Sequence, residues 1–391
     1  MDATAIDVSR LPGPAQKILD PAGPPPLKAM AAKGLVPGLK PGDVLAVIIV
    51  LATGTDAHAQ AAQKTLDAVP APLFNGALAQ ADLQPGVLDA LAPKYAADIA
   101  NAERILNHPN IHAGTVARLA EHADEMVCEM VATNEERMIS NPIIIEKLYL
   151  NKNCRMSTAS RILELAVRND LELAIPAFAQ AKVAIQGELI GEPTQERSFD
   201  DDQFDEAKHL AEQLRLAEDE DLLRLDESTG KEVIVDKAKP LHAIWANMTA
   251  PSKIRLLTIG TIKHYDKDGK LVEEQRLDPK TLRKLGVADA NPQVAVAALE
   301  TPGINEGEVA KFASSRNVCE DVLRKISMTP DWTQSYAIKK ALVMNPRTPF
   351  GQASKFVMHM RETDLKAISK SREVSGAIQT AAKQQLSRKG K

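Results

Sequence analysis

The chain repeats itself, and this constrains its fold more than any other feature of its 391 residues. Pro109-Asn-Ile-His-Ala-Gly-Thr-Val-Ala-Arg-Leu-Ala120 lies in register, without gaps, with Pro302-Gly-Ile-Asn-Glu-Gly-Glu-Val-Ala-Lys-Phe-Ala313. Val127-Cys-Glu-Met-Val131 matches Val318-Cys-Glu-Asp-Val322. Leu148-Tyr-Leu-Asn151 and the following Ala159-Ser-Arg161 match Leu342-Val-Met-Asn345 and Ala353-Ser-Lys355. The correspondence runs on to Asn169-Asp-Leu171 against Thr363-Asp-Leu365. With the offset staying near about 193, residues of roughly 100–180 and 293–375 form an internal duplication, which is the signature of a repeat architecture. Shorter units recur inside it: the Pro346 segment echoes the Pro302 segment about 44 residues on, a spacing typical of HEAT-type helix pairs.

The duplicated segments read as helices. Val116, Leu119 and Ala120, their counterparts Val309, Phe312 and Ala313, and Ile162, Leu165 and Ala166 recur at helical spacing. Asn305 with Glu308 predicts a capping box. Thr348-Pro349 predicts an N-cap threonine followed by proline at the first helical position, where its missing N–H costs nothing. The apolar run from Val44 to Ala52 predicts a helix buried on most sides; it is too short to span a bilayer, which needs about 20 residues. The fold class expected is all-α, an internally duplicated α-solenoid of HEAT-like helix pairs. Four regions follow: a flexible Pro/Gly-rich arm over 1–25, a helical-repeat half over 26–190, an acidic linker with a helix in it over 191–238, and a second helical-repeat half over 239–391. Asp268-Gly269, flanked by β-favouring residues, predicts a small hairpin inserted near 258–278.

Composition excludes several function classes. A net charge of −4 gives no global basic field for nucleic acid, and 3% aromatic residues leave few platforms for stacking bases. No secretory signal is visible, and Cys128, Cys154 and Cys319 lie far apart, as suits a reducing, cytoplasmic setting. Cys128 and Cys319 read as matched buried residues rather than nucleophiles. Asp266-Lys-Asp-Gly-Lys-Leu271 is a partial calcium loop, but His264 and Gln275 stand where its first and twelfth ligands belong. His108 and His112 are separated by Pro109 and read as turn or capping residues, not a metal pair. No nucleophile elbow, phosphate-binding loop or dinucleotide fingerprint is present. No cofactor, metal or catalytic residue is therefore expected.

A contact surface is sought instead at Trp332, Tyr336 and Arg347, because Trp, Tyr and Arg are enriched in binding hot spots. The plainer reading of Trp332 is a large core filler joining two helix pairs, and Trp245 carries the same ambiguity. Arg118, Arg161, Lys311 and Lys355 hold matched places in the two halves and form a candidate basic face. The short basic tail from Lys383 to Lys391 reads as a solvated end.

Asn134-Glu-Glu-Arg-Met-Ile-Ser-Asn-Pro-Ile-Ile-Ile-Glu-Lys-Leu-Tyr-Leu-Asn151, Arg155-Met-Ser-Thr-Ala-Ser-Arg161, Ser252-Lys-Ile-Arg-Leu256, Asp331-Trp332, Ala341-Leu-Val-Met-Asn-Pro346 and Asp364-Leu-Lys-Ala-Ile-Ser-Lys-Ser-Arg372 resemble a family of uncharacterised bacterial HEAT-like helical-repeat proteins. The resemblance runs from about residue 30 to 385, leaving out the acidic linker and the hairpin segment. It implies a helical-repeat fold in a bacterial cytoplasm and carries over no catalytic residue. The function expected is a non-enzymatic scaffold or adaptor that binds protein partners, with self-association as one form of it and no membrane insertion. The alternative is a HEAT-like protein that binds or processes nucleic acid through a local basic groove.

Overall fold

The structure is a computed structural model that describes residues 5–55, 57–186, 196–215, 223–225, 232–234, 239–262 and 277–389. Those residues form an all-α fold of short helices, with a single pair of three-residue antiparallel strands, Leu223–Leu225 and Glu232–Ile234, in which Leu223 faces Ile234. The described residues divide into two compact units, one ending at Leu173 and the other starting at Ala174.

In the first unit the apolar run forms the helix Pro41–Thr53, buried from Val44 to Ile49 and again at Leu51. A helix apolar on all sides needs neighbours on all sides. It finds them in the helices Gly13–Leu19, Pro25–Ala31, Ala59–Asp67, Ala71–Leu78 and Pro85–Leu91. Residues 1–25, expected as a flexible arm, are in their described part folded. Prolines open two helices, where they are tolerated, and Leu11, Ala15 and Ile18 are buried.

In the second unit the helix Ala250–Thr261 is the counterpart core helix. It is buried from Ile254 to Gly260, and Gly260 and Gly286 admit Leu282, Ala298 and Leu257 where a Cβ would clash. This helix occupies positions 258–261, the start of the expected hairpin, and Asp278 at its end caps the helix Pro279–Val287; residues 263–276, with the partial calcium loop, lie outside the described residues. Thr258 and Thr261 return their hydroxyls to carbonyls of their own helix, so β-favouring residues are accommodated there.

The acidic stretch is also folded in its described part, not a flexible linker. Phe199–Arg215 is a helix of 17 residues. Phe204, Ala207, Ala211 and Leu214 form a buried stripe, and the helix packs on Lys239–Asn247 and Ala250–Thr261. Its acidic first turn suits the positive end of the helix dipole, and Ser198 and Asp201 cap it reciprocally.

Over five helices the duplicated segments fold alike; beyond them they part, since Asn169–Leu171 follows the end of the helix Met156–Arg168 whereas Thr363–Leu365 lies inside Glu362–Lys370. Five helices, Ala113–His122, Glu125–Ala132, Glu135–Ser140, Ile143–Leu150 and Met156–Arg168, are matched in order by Glu306–Ser314, Glu320–Met328, Pro330–Thr333, Tyr336–Met344 and Phe350–Val357. In each set the first helix packs on the fourth, the fourth on the fifth, and the second on the fifth. Buried Val116, Leu119 and Ala120 are answered by Val309, Phe312 and Ala313, and Ile144 and Leu148 by Ile338 and Leu342.

Two local expectations need correction. Cys128 lies inside its helix, whereas Cys319 is the N-cap of the next one and only half-buried. Aligned by their N-caps, Asp124 and Cys319, the two helices bury Val127, Cys128 and Val131 against Val322, Leu323 and Ile326. Leu323, not Cys319, therefore replaces Cys128. Thr348 does not cap its helix: Pro349 takes the N-cap place, and the Thr348 hydroxyl is buried without a hydrogen-bond partner among the described residues. The capping box of Asn305 and Glu308 is present in both its bonds.

Candidate interaction surface

Each five-helix set is closed by one asparagine. Asn151 follows the helix Ile143–Leu150 and is buried. Its Nδ2 donates to the carbonyls of Ala120 at 2.7 Å and Ala123 at 2.8 Å, at the end of the first helix of the set. Its Oδ1 accepts from the Asn153 N–H at 2.9 Å. Asn345 repeats this: it donates to Ala313 and Ser315, each at 2.8 Å, and accepts from the Arg347 N–H at 3.0 Å. A helix end leaves carbonyls unpaired, and one amide side chain satisfies two of them while fixing the turn that starts the next helix. The shared Asn in the two matched segments was visible in the sequence, but its role was not.

A histidine makes a third such clasp in the first unit. His108 accepts the Asn110 N–H on Nδ1, so its Nε2 carries the proton and donates to the Gln80 carbonyl at 3.0 Å. Asn110 adds bonds to the Ala81 and Leu83 carbonyls. His108 is thus a buried structural residue, and His112 is the N-cap position of Ala113–His122. No group of three metal-ligating side chains is found among the described residues.

The candidate contact residues separate. Trp332 sits half-exposed in the four-residue helix Pro330–Thr333, and its indole has no hydrogen bond among the described residues. Tyr336 is half-exposed too, but its polar and ring contacts are made within the chain. Its hydroxyl donates to Asp364, accepts the Arg361 N–H at 3.0 Å, and its ring lies under the Arg361 guanidinium at 4.6 Å. Lys340 completes the group at 2.8 Å from Asp364. The Lys340 and Tyr336 bonds hold the Asp364 carboxyl below its ordinary range, while burial and the Asp364 contact push the Tyr336 phenol up. Arg347 is exposed, with its guanidinium on the Val318 carbonyl at 3.1 Å. Trp245 is a core residue: it is buried, and its Nε1 donates to Asp289 at 2.8 Å, which also holds Lys253 at 3.0 Å.

The candidate basic face also divides. Arg118 pairs with Asp89 at 3.3 Å and Arg161 with Glu129 at 3.2 Å. Lys311 and Lys355 are exposed and have no ion pair among the described residues.

A buried polar group that sequence reading missed lies under the acidic helix. Arg255 is fully buried on the core helix Ala250–Thr261, with its guanidinium 4.8 Å from the Phe204 ring. Beside it Asp200 accepts from Ser252 at 2.8 Å and from Thr249 at 3.4 Å. Burial pushes the Asp200 carboxyl above its ordinary range, although the Ser252 and Thr249 bonds and the Arg255 charge pull the other way. The only signal was an arginine within an otherwise apolar helical run.

No helix of the described residues is long and apolar enough to cross a membrane. Compared with family profiles, with curated proteins and with solved structures, the chain finds no match.

Proposed function

We propose that this chain is a non-enzymatic interaction scaffold, an α-solenoid of HEAT-like helix pairs that presents helix faces to protein partners. The observation that carries the reading is the same five-helix set, closed by the same buried asparagine, built twice in one chain. Repeated helix pairs each bury one face against their neighbours and leave a second face for contact. The resemblance to bacterial HEAT-like proteins accords with it. Trp332 is the strongest single contact candidate, being half-exposed with an indole N–H that has no partner among the described residues. The nucleic-acid alternative is the weaker reading, because two of its four cations, Arg118 and Arg161, are held by carboxylates.

The test is affinity purification of the full chain from its native cell, followed by mass measurement of the eluted complex. The scaffold reading expects a stoichiometric complex, with another protein or with further copies, that is weakened by Trp332→Ala while helical circular dichroism is kept. A lone monomer, or co-elution of nucleic acid lost in high salt, overturns it.

A further inference from the structure

Charge is distributed along this chain very unevenly. Residues 336–391 contain twelve Lys and Arg against three Asp and Glu, a net of +9 in a chain of net −4. Residues 191–238 contain sixteen Asp and Glu against six Lys and Arg, a net of −10. The basic stretch folds as four consecutive helices, Tyr336–Met344, Phe350–Val357, Glu362–Lys370 and Gly376–Lys389, with the last packed on the two before it.

All three of its carboxylates are occupied: Asp364 by Lys340, Glu362 by Lys366 at 2.6 Å and Glu373 by Arg316 at 2.7 Å. Arg347, Lys355, Lys370, Arg372, Lys383 and Arg388 are exposed and have no carboxylate partner among the described residues. Apolar surface lies among them. Phe350 is 53% exposed and Met358 57% exposed, eight residues apart on one stripe of a helical run, with Lys355 beside it. Four described carboxylates of the acidic stretch bond locally: Asp200 to Ser252, Asp201 to Ser198, and Asp202 and Asp205 to Arg197. No ion pair joins the two stretches among the described residues, and Glu206 stands exposed on the acidic helix.

We propose that the four-helix basic module is a docking surface for the acidic stretch, helix Phe199–Arg215 included, of a second copy of this chain. Each copy carries both partners, so two copies related by a two-fold axis satisfy both contacts reciprocally, and a non-closing arrangement propagates instead. The charges steer the encounter, and Phe350 and Met358 supply the apolar area that ion pairs at a wet surface lack. A free nucleic acid is the less favoured occupant, because the same unit carries the acidic stretch that repels it. The inference deepens the scaffold reading and rests on it.

The experiment is light scattering of the full chain, at low ionic strength and at about 1 M salt, where the Debye length falls to about 3 Å. The expected result is a mass of two or more copies at low salt and of one copy at high salt. The combined variant Lys355→Glu, Lys370→Glu, Arg372→Glu and Lys383→Glu weakens the association about 100-fold with unchanged helical circular dichroism. Glu206→Lys with Glu212→Lys weakens it too, and mixing the two variants restores association, which misfolding would not do. A single-copy mass at every salt concentration overturns the proposal, as does association indifferent to the reversals. So does a chain that stays single but retains a duplex or single-stranded oligonucleotide through the same lysines and arginines. A single-copy chain that still elutes from the cell with another protein overturns this inference alone; one that elutes with nothing overturns the scaffold reading as well.

Discussion

The helix Glu125–Ala132 and its counterpart Glu320–Met328 are held to their neighbours by different means. In the first set Arg155 reaches Glu125 at 2.5 Å, and Arg161 reaches both Glu129 and the Ala132 carbonyl, so two ion pairs tie the second helix to the fifth. In the second set Pro349 stands in the place of Arg155, Lys355 in that of Arg161 and Arg324 in that of Glu129. Arg324 pairs within its own helix with Glu320, and the polar tie across, among the described residues, is Arg347 on the Val318 carbonyl. What the two sets share is the buried apolar pattern and the asparagine. The helix arrangement is thus set by burial and by the satisfaction of helix-end carbonyls, and surface ion pairs adjust it.

The largest effect is expected where the two units differ most. The acidic helix Phe199–Arg215 belongs to the second unit's core, and Phe204→Ala should cost about 3–5 kcal/mol, since it empties a buried site and removes the ring from Arg255. Chemical denaturation followed by amide hydrogen exchange checks this: protection should fall in the second unit and persist in the first. An unchanged midpoint would return the segment to a linker.

Next, Asn151→Ala and Asn345→Ala should each cost roughly 3 kcal/mol, because each strands two carbonyls and one N–H. Exchange should quicken in Ala113–His122 for the one and in Glu306–Ser314 for the other. Equal losses sharpen the equivalence of the sets, and a silent substitution in either breaks it.

Arg161→Lys, which places the second set's residue in the first, should cost about 1 kcal/mol through its bonds to Glu129 and Ala132. Lys355→Arg should stay within about 0.5 kcal/mol, having no carboxylate at the matching place.

The smallest effect is in the pH dependence of the second unit. Asp200 holds its proton to higher pH when folded than when unfolded, because burial disfavours its charged form. Its contribution therefore falls as pH rises from the ordinary carboxylate range to the raised value. Asp200→Asn should remove that fall, gaining on the wild type as pH rises through the window in thermal melts at successive pH values. A constant difference across pH would remove burial as the dominant cause.

Much of the repeat was legible because helical burial has a period. Val116, Leu119 and Ala120 predict their own buried face, and the capping box at Asn305 announces its helix start. Cys319 misled because a matching letter four residues out of register puts a cap where a core position is expected. The Pro-rich beginning misled because composition does not distinguish an extended arm from helices opened by proline. Leu11, Ala15 and Ile18 settle that by being buried against the unit. The strand pair at Leu223 and Glu232 was passed over, since three residues are too few for alternation to register. The clasps of Asn151, Asn345 and His108 were hidden for another reason: their partners are carbonyls about 30 residues away, and carbonyls carry no sequence signal.

By itself the sequence determined that the chain is helical, that a set of helices is built twice, and which apolar positions of its periodic helices, such as Val116, Leu119 and Ala120, go inside, because those follow from spacing along one chain. The tertiary structure alone decided which polar groups are spent internally and which remain free. Arg118 and Arg161 are paired with carboxylates while, among the described residues, Lys355 is not, and the Tyr336 hydroxyl is bonded to Asp364 while the equally half-exposed Trp332 indole has no hydrogen bond among them. A charge or hydrogen bond has meaning only against its partner, and partners are brought together by packing rather than by adjacency in the chain.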